Sequence, residues 1–166
     1  MRKILTALVA LVSLFATVPA VMPADVTGHV TVQPWCEINA SPTSLNFLKG
    51  VNNLIPGDTS DSLGVIISMP KGNQPTIPLV SGTQWTGTVI TPPTMSVGQT
   101  GWSAVLGNSG QLSGTEASIG VAVSHGTSRT VNFNVAIPVD QAADSYTQTI
   151  TITACGEQTT TTTIIP

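Results

Sequence analysis

Apolar and polar positions alternate with a period of two along most of this chain, which is the signature of half-buried β-strands. The pattern starts at Asp25 to Gln33, where Val26, Gly28, Val30 and Val32 fall on one side of an extended chain and Thr27, His29, Thr31 and Gln33 on the other. After Cys36, Ile38 and then Leu45 and Phe47 flank a Ser-Pro-Thr-Ser break, predicting strand, turn, strand. Leu63, Val65, Ile67 and Met69 form the next alternating run; Ile66 interrupts its polar side, which predicts an inner strand buried on both faces. Thr76 to Val80 and Gln84 to Ile90 read as two short strands, the first at a sheet edge because Pro75 and Pro78 cannot donate ladder hydrogen bonds.

Thr91 to Thr115 is the least regular stretch, with an apolar group at Trp102, Ala104 and Leu106. The clearest hairpin is expected between Ser118 and Pro138. There Ile119, Val121 and Val123 alternate, H-G-T-S-R turns the chain, and Val131, Phe133, Val135 and Ile137 alternate again. Ser145 to Cys155 is the last long strand, with Thr147, Thr149, Thr151 and Thr153 on one side and Tyr146, Ile150, Ile152 and Ala154 on the other. Cys155 falls on the threonine side, so a bulge or twist is required there if it pairs. The tail from Gly156 to Pro166 holds five threonines in a row, which specify no register, and reads as an appendage of the strand or a terminus. Many short strands separated by turn signals predict an all-β, immunoglobulin-like β-sandwich over residues 36–155.

The ends of the chain add a compartment. Arg2 and Lys3 precede the apolar run Ile4 to Val18 and then V-P-A-V-M-P-A, the layout of a secretory signal peptide over residues 1–24, cut after Ala20 or Ala24. A secreted, extracellular location follows, with no membrane association once the leader is removed. Its loss leaves three basic against eight acidic residues, which disfavours nucleic-acid partners. Only 8% of the 166 residues are charged and the mean hydropathy is +0.30, so Thr, Ser, Asn, Gln and Gly must supply the surface. In an exported chain the two cysteines, Cys36 and Cys155, read most simply as one disulfide joining the first strand region to the last. Asn39-Ala40-Ser41 is an N-glycosylation sequon.

Candidate chemistry is sparse. His29 and His125 have no neighbouring nucleophile, orienting carboxylate or metal ligand at a productive spacing. Asp58 with Asp61, and Asp140 with Asp144, supply oxygens of the kind calcium takes, but they sit in turns without an EF-hand loop. Trp85 and Trp102 read as core residues; a carbohydrate platform is the alternative. No catalytic residue, cofactor or metal site is therefore expected, and the chain is not expected to be an enzyme. Residues 25–35 form an N-terminal arm tied to the body at Cys36, and it pairs either with its own domain or with a neighbour.

Two stretches resemble known fibre subunits. The opening V-T-G-H-V-T-V-Q-P-W-C-E-I-N-A-S-P-T-S-L-N-F resembles the start of spore-coat-U and archaic chaperone-usher pilins. The closing V-N-F-N-V-A-I-P-V-D-Q-A-A-D-S-Y-T-Q-T-I-T-I-T-A is similar to the last two strands of those pilins, of archaeal bundling pilins and of biofilm-matrix fibre proteins. This sequence departs from the pilins in carrying Asp144 where they usually have glycine, and in the late position of Cys155. The resemblance implies a pilus or matrix-filament subunit assembled by donor-strand complementation, with Val26, Gly28, Val30 and Val32 as the inserted residues. The implied partners are further copies of the chain, with an assembly chaperone or a surface glycan as additional ones. A monomeric secreted module or a carbohydrate-binding adhesin is the alternative function.

Overall fold

The computed structural model describes residues 35–89 and 93–166, with residues 157–162 described by their backbone alone. The leader, and the arm as far as Pro34, lie outside the described residues.

Twelve strands follow one another: β1 (Cys36–Ser41), β2 (Ser44–Asn46), β3 (Leu63–Gly72), β4 (Leu79–Gly82), β5 (Trp85–Gly87), β6 (Thr94–Met95), β7 (Thr100–Ala104), β8 (Ser109–Gln111), β9 (Ala117–Ser118), β10 (Ser128–Val135), β11 (Tyr146–Ala154) and β12 (Glu157–Ile165). They form two sheets, β1-β3-β10-β7-β8 and β2-β12-β11-β4-β9, with β5 paired to β11 and β6 to β5. The four strands β1, β3, β10 and β7 take the places of A, B, E and D in an immunoglobulin-like sandwich; β12, β11 and β4 take those of G, F and C. The cis Ser41–Pro42 bond lies where the chain crosses from β1 in the first sheet to β2 in the second.

The alternation read from the sequence is the alternation that builds the core. Val65, Ile67 and Met69 of β3, Val131, Phe133 and Val135 of β10, and Ile150, Ile152 and Ala154 of β11 are all buried between the sheets. Ile66 points the other way and is half exposed, so β3 is an inner strand between β1 and β10 that is buried on one face only. Gln148 occupies an inward position of β11 and is satisfied by a buried relay. The Trp85 indole N–H donates to Thr100 Oγ1 (2.9 Å), the Thr100 hydroxyl donates to Gln148 Oε1 (2.8 Å), and the Gln148 amide donates to the Thr83 carbonyl (2.8 Å). A buried polar group left without such partners costs about 1–3 kcal/mol, so this relay fixes the register of β11 against its neighbours.

Several expectations are corrected. Residues 118–124 do not form a hairpin with β10, which pairs with β3 and β7. They run instead beside residues 76–80, through Ile119 N to Pro78 O (3.1 Å) and the reciprocal Thr76–Val123 pair, and are interrupted at Gly120, φ +74°. Alternation shows which side of a strand is apolar, not which strand lies next to it. The stretch read as irregular contains β7, an interior strand of the first sheet. Leu106, grouped with Trp102 and Ala104 in the sequence, sits in the following turn with φ +64° and its side chain exposed.

The tail is the largest correction. It forms β12, antiparallel to β11 over nine pairs from Tyr146–Ile165 to Ala154–Glu157, and parallel to β2 on its other side. The reversal uses Cys155 and Gly156, with φ values of +52° and +80°, as the two central residues of a tight hairpin whose left-handed backbone matches strand twist. Cys155 therefore belongs to a turn and not to the strand, which accounts for its place outside the alternation.

Candidate functional site

The disulfide between Cys36 and Cys155 joins the start of β1 to this hairpin tip, across 119 residues of sequence and with 5.7 Å between the Cα atoms. Cys36 pairs with Gly72 of β3, so β1, the end of β3 and the β11–β12 turn converge on one pole of the sandwich. Trp35 is held there by two contacts with Asn73: its backbone N–H donates to Asn73 Oδ1 (3.0 Å), and its carbonyl accepts from the Asn73 N–H (3.2 Å). The arm thus joins the sandwich at a fixed point. The residues expected to be inserted, Val26, Gly28, Val30 and Val32, precede Trp35 and lie outside the described residues, as does His29.

Beyond that point β1 is a border strand, with β3 as its one strand neighbour among the described residues. Cys36, Ile38 and Ala40 face the core while Asn39 and Ser41 are exposed, and Glu37 pairs with Lys71 at 3.1 Å. The sequon residue Asn39 therefore lies on a strand, with its side chain directed outward. A border strand presents a row of N–H and C=O groups that another strand can take up.

Trp85 is 0% exposed and stacks edge-on against Phe47 at 6.2 Å, while Trp102 is 5% exposed. Neither can offer a ring face to a sugar, so the carbohydrate platform considered for them is not present at the surface. His125 is exposed in the turn before β10. Asp58 accepts from Lys49 Nζ (2.6 Å) and from the Ile55 N–H (3.3 Å); the lysine contact first, then the amide, lowers its pKa. Asp61 accepts from the Gly50 N–H (2.7 Å). These aspartates brace the loop between β2 and β3. Among the described residues, no group of three or more His, Cys, Asp and Glu side chains is placed to hold a metal ion.

Asp144 has a role that the sequence did not signal. Its carboxylate accepts from the Thr88 hydroxyl (2.8 Å) and from the N–H groups of Thr88 (2.8 Å), Ser145 (2.8 Å) and Val89 (3.4 Å). It clasps the segment after β5 to the start of β11, and a side chain at Gly87 would collide with it. The Thr88 hydroxyl bond is the chief cause of a pKa below the ordinary 3.8. A carboxylate depressed in the folded state contributes stability that is complete above its unfolded pKa and is lost as the pH falls through the lower folded value. Asp144→Ala is therefore expected to lower the melting temperature at neutral pH, with the gap to wild type closing as the pH is taken below 3.8. Thermal unfolding across that range checks it, and a gap that stays constant removes the clasp from the account.

Next to the clasp, the Tyr146 hydroxyl donates to the Ala142 carbonyl at 2.6 Å and accepts from Gln141 Nε2 at 2.6 Å. A tyrosine at the start of strand F that bonds backbone a few residues upstream is the corner found in immunoglobulin-like sandwiches.

No protein-family model and no curated protein matches this chain. Solved structures do. The PapD-like domain 7 of human CEP192 is similar with a TM-score of 0.52 and 10% identity, over 88% of this chain and 95% of that one. Part of a family 123 glycoside hydrolase from Clostridium perfringens is similar with a TM-score of 0.51 and 13% identity, over 74% of this chain. This chain spans only 22% of that hydrolase's length. At such identities the likeness is one of fold alone, a broad immunoglobulin-like β-sandwich.

Proposed function

We propose that this chain is an exported, non-catalytic structural subunit of an extracellular filament, in which the N-terminal arm of each subunit adds as a strand to the next. The observation that carries the proposal is the β1 border, which is continuous with the arm and has a strand neighbour on one side only among the described residues. Strand addition supplies main-chain hydrogen bonds along the border, and its valines contribute about 1.5–3 kcal/mol each when buried. A head-to-tail contact that does not close on itself generates a fibre.

The resemblance to donor-strand pilins is refined in one respect. The place of strand G is occupied by β12 of the same chain, so the arm adds to a completed sandwich, and no chaperone strand is needed to hold a groove open before assembly.

Deleting residues 25–33 is expected to convert filaments into folded monomers, read by electron microscopy and light scattering. Filaments that persist in the deletion variant end the proposal. That β12 completes the sandwich favours a second reading, a monomeric extracellular module, in which the intact mature chain is a monomer at every concentration.

A further inference from the structure

We infer that the two poles of the sandwich are complementary, and that Trp35 of one copy seats in an apolar cavity at the opposite pole of the next. This rests on the filament reading and names its contact.

The cavity has a volume of about 360 Å³ and a mainly apolar lining, formed where three separate segments end together: the β2–β3 loop at Leu54, Ile55 and Pro56, the β10–β11 loop at Ile137, and the C-terminus at Ile165 and Pro166, with Asn53, Asp144 and Ser145 as its polar members. Beside their aspartates, the loops around it expose aliphatic residues. Ile55 is 63% exposed, and Val139, which lies against Gly57 in the same region, is 84% exposed. Exposed aliphatic residues gathered around a cavity mark a contact surface.

Registers place the cavity at the far end from the disulfide. Tyr146 and Ile165 pair at the cavity end of the β11–β12 ladder, and Ala154 and Glu157 pair at the other end, beside Cys155. Nine residues of β11 separate the poles by roughly 30 Å at about 3.3 Å per residue. At the disulfide pole stands Trp35, whose backbone is fixed by Asn73 and whose side chain is 48% exposed. An indole fits the cavity volume, and tryptophan is one of the residue types enriched among interface anchors.

Charge selects the orientation. Every aspartate of the described residues, Asp58, Asp61, Asp140 and Asp144, belongs to the loops at the cavity pole, where Lys49 is their one counterion. In the half toward the disulfide, Lys71 is paired with Glu37, and Arg129 stands against Glu157 beside the turn in the charge count, so that pole is about neutral. Cavity-to-cavity pairing would bring two acidic poles together, whereas cavity-to-Trp35 pairing does not.

The length of the arm agrees. Ten residues, 25–34, can reach roughly 33 Å when extended, enough to span the length of a neighbouring sandwich along its β1 border.

The test uses the full mature chain and two surface variants, Trp35→Ala and Ile55→Asp, with near-UV circular dichroism to establish that each is folded. Each is expected to raise the concentration needed for filament growth by about 10- to 100-fold. Mixed together, the two variants retain one productive contact, from Trp35 of the Ile55→Asp chain to the cavity of the Trp35→Ala chain, and are expected to give dimers that do not extend. Wild-type filament growth by either folded variant, while the 25–33 deletion remains monomeric, overturns the pole contact and leaves the arm proposal standing. An intact chain that never assembles overturns both.

Discussion

A chain ending at Gly156 is expected not to fold. Residues 157–165 form β12, which lies between β11 and β2 and supplies hydrogen bonds to both. Thr163 and Ile165 are buried, the Thr163 hydroxyl donates to the Gln148 carbonyl at 3.0 Å, and Ile164 O accepts from the Phe47 N–H at 2.9 Å. Removing the strand leaves one whole side of β11 unpaired, cuts β2 from its sheet and opens the core beside Phe47 and Ile150. Buried backbone groups without partners each cost about 1–3 kcal/mol, and a domain of this size has a net stability of only about 5–15 kcal/mol, so the losses exceed what is available. Loss of near-UV circular dichroism and of a cooperative thermal transition in the truncated chain is the expected result. A synthetic peptide of residues 157–166 is expected to restore both, because the slot it fills would be the only defect. A truncated chain that still unfolds cooperatively would show that β12 is dispensable.

The second large effect is expected from the disulfide. Replacing Cys36 and Cys155 together by serine releases a loop closed across 119 residues. The chain-entropy account puts the stabilisation from such a closure at roughly 4–5 kcal/mol, with strain able to reduce it. A fall of about 3–5 kcal/mol in unfolding free energy by urea titration is therefore expected, with a steeper slope because the uncrosslinked unfolded chain exposes more surface. The double variant should remain folded, since the registers of β1 with β3 and of β11 with β12 do not depend on the bond. An unchanged midpoint would show that the reduced chain is already held closed by those ladders.

The parts of the fold that were legible in the sequence are the ones set by local pattern. Val65, Ile67 and Met69, or Val131, Phe133 and Val135, declare their inward face by alternation alone, and the structure buries all six. What alternation cannot state is adjacency, so residues 118–124 were assigned to the wrong neighbour although their apolar positions were correctly read. The strand β7 was hidden because Thr100, Gly101 and Ser103 surround a single tryptophan in a glycine-rich stretch. The run of threonines in β12 carries no apolar period until Ile164 and Ile165, yet a turn signal was available in Cys155-Gly156. The cavity was out of reach in principle, since its walls come from three segments brought together only by the ladder ends. The role of Asp144 was likewise invisible, because its partner Thr88 lies 56 residues away.

The placing of the disulfide has a mechanical consequence. A pull on the arm enters the sandwich at Trp35 and passes through Cys36 directly into Cys155, so the tension bypasses the polypeptide between them. Stretched from its two termini, the molecule can pay out only the segments outside that covalent loop. The strands from β1 to β11 are shielded from extension as long as the bond is intact. In a fibre built through the arm, load would enter at the β1 border and leave through Trp35 and Cys36 of the same copy, so the contacts between copies would bear it.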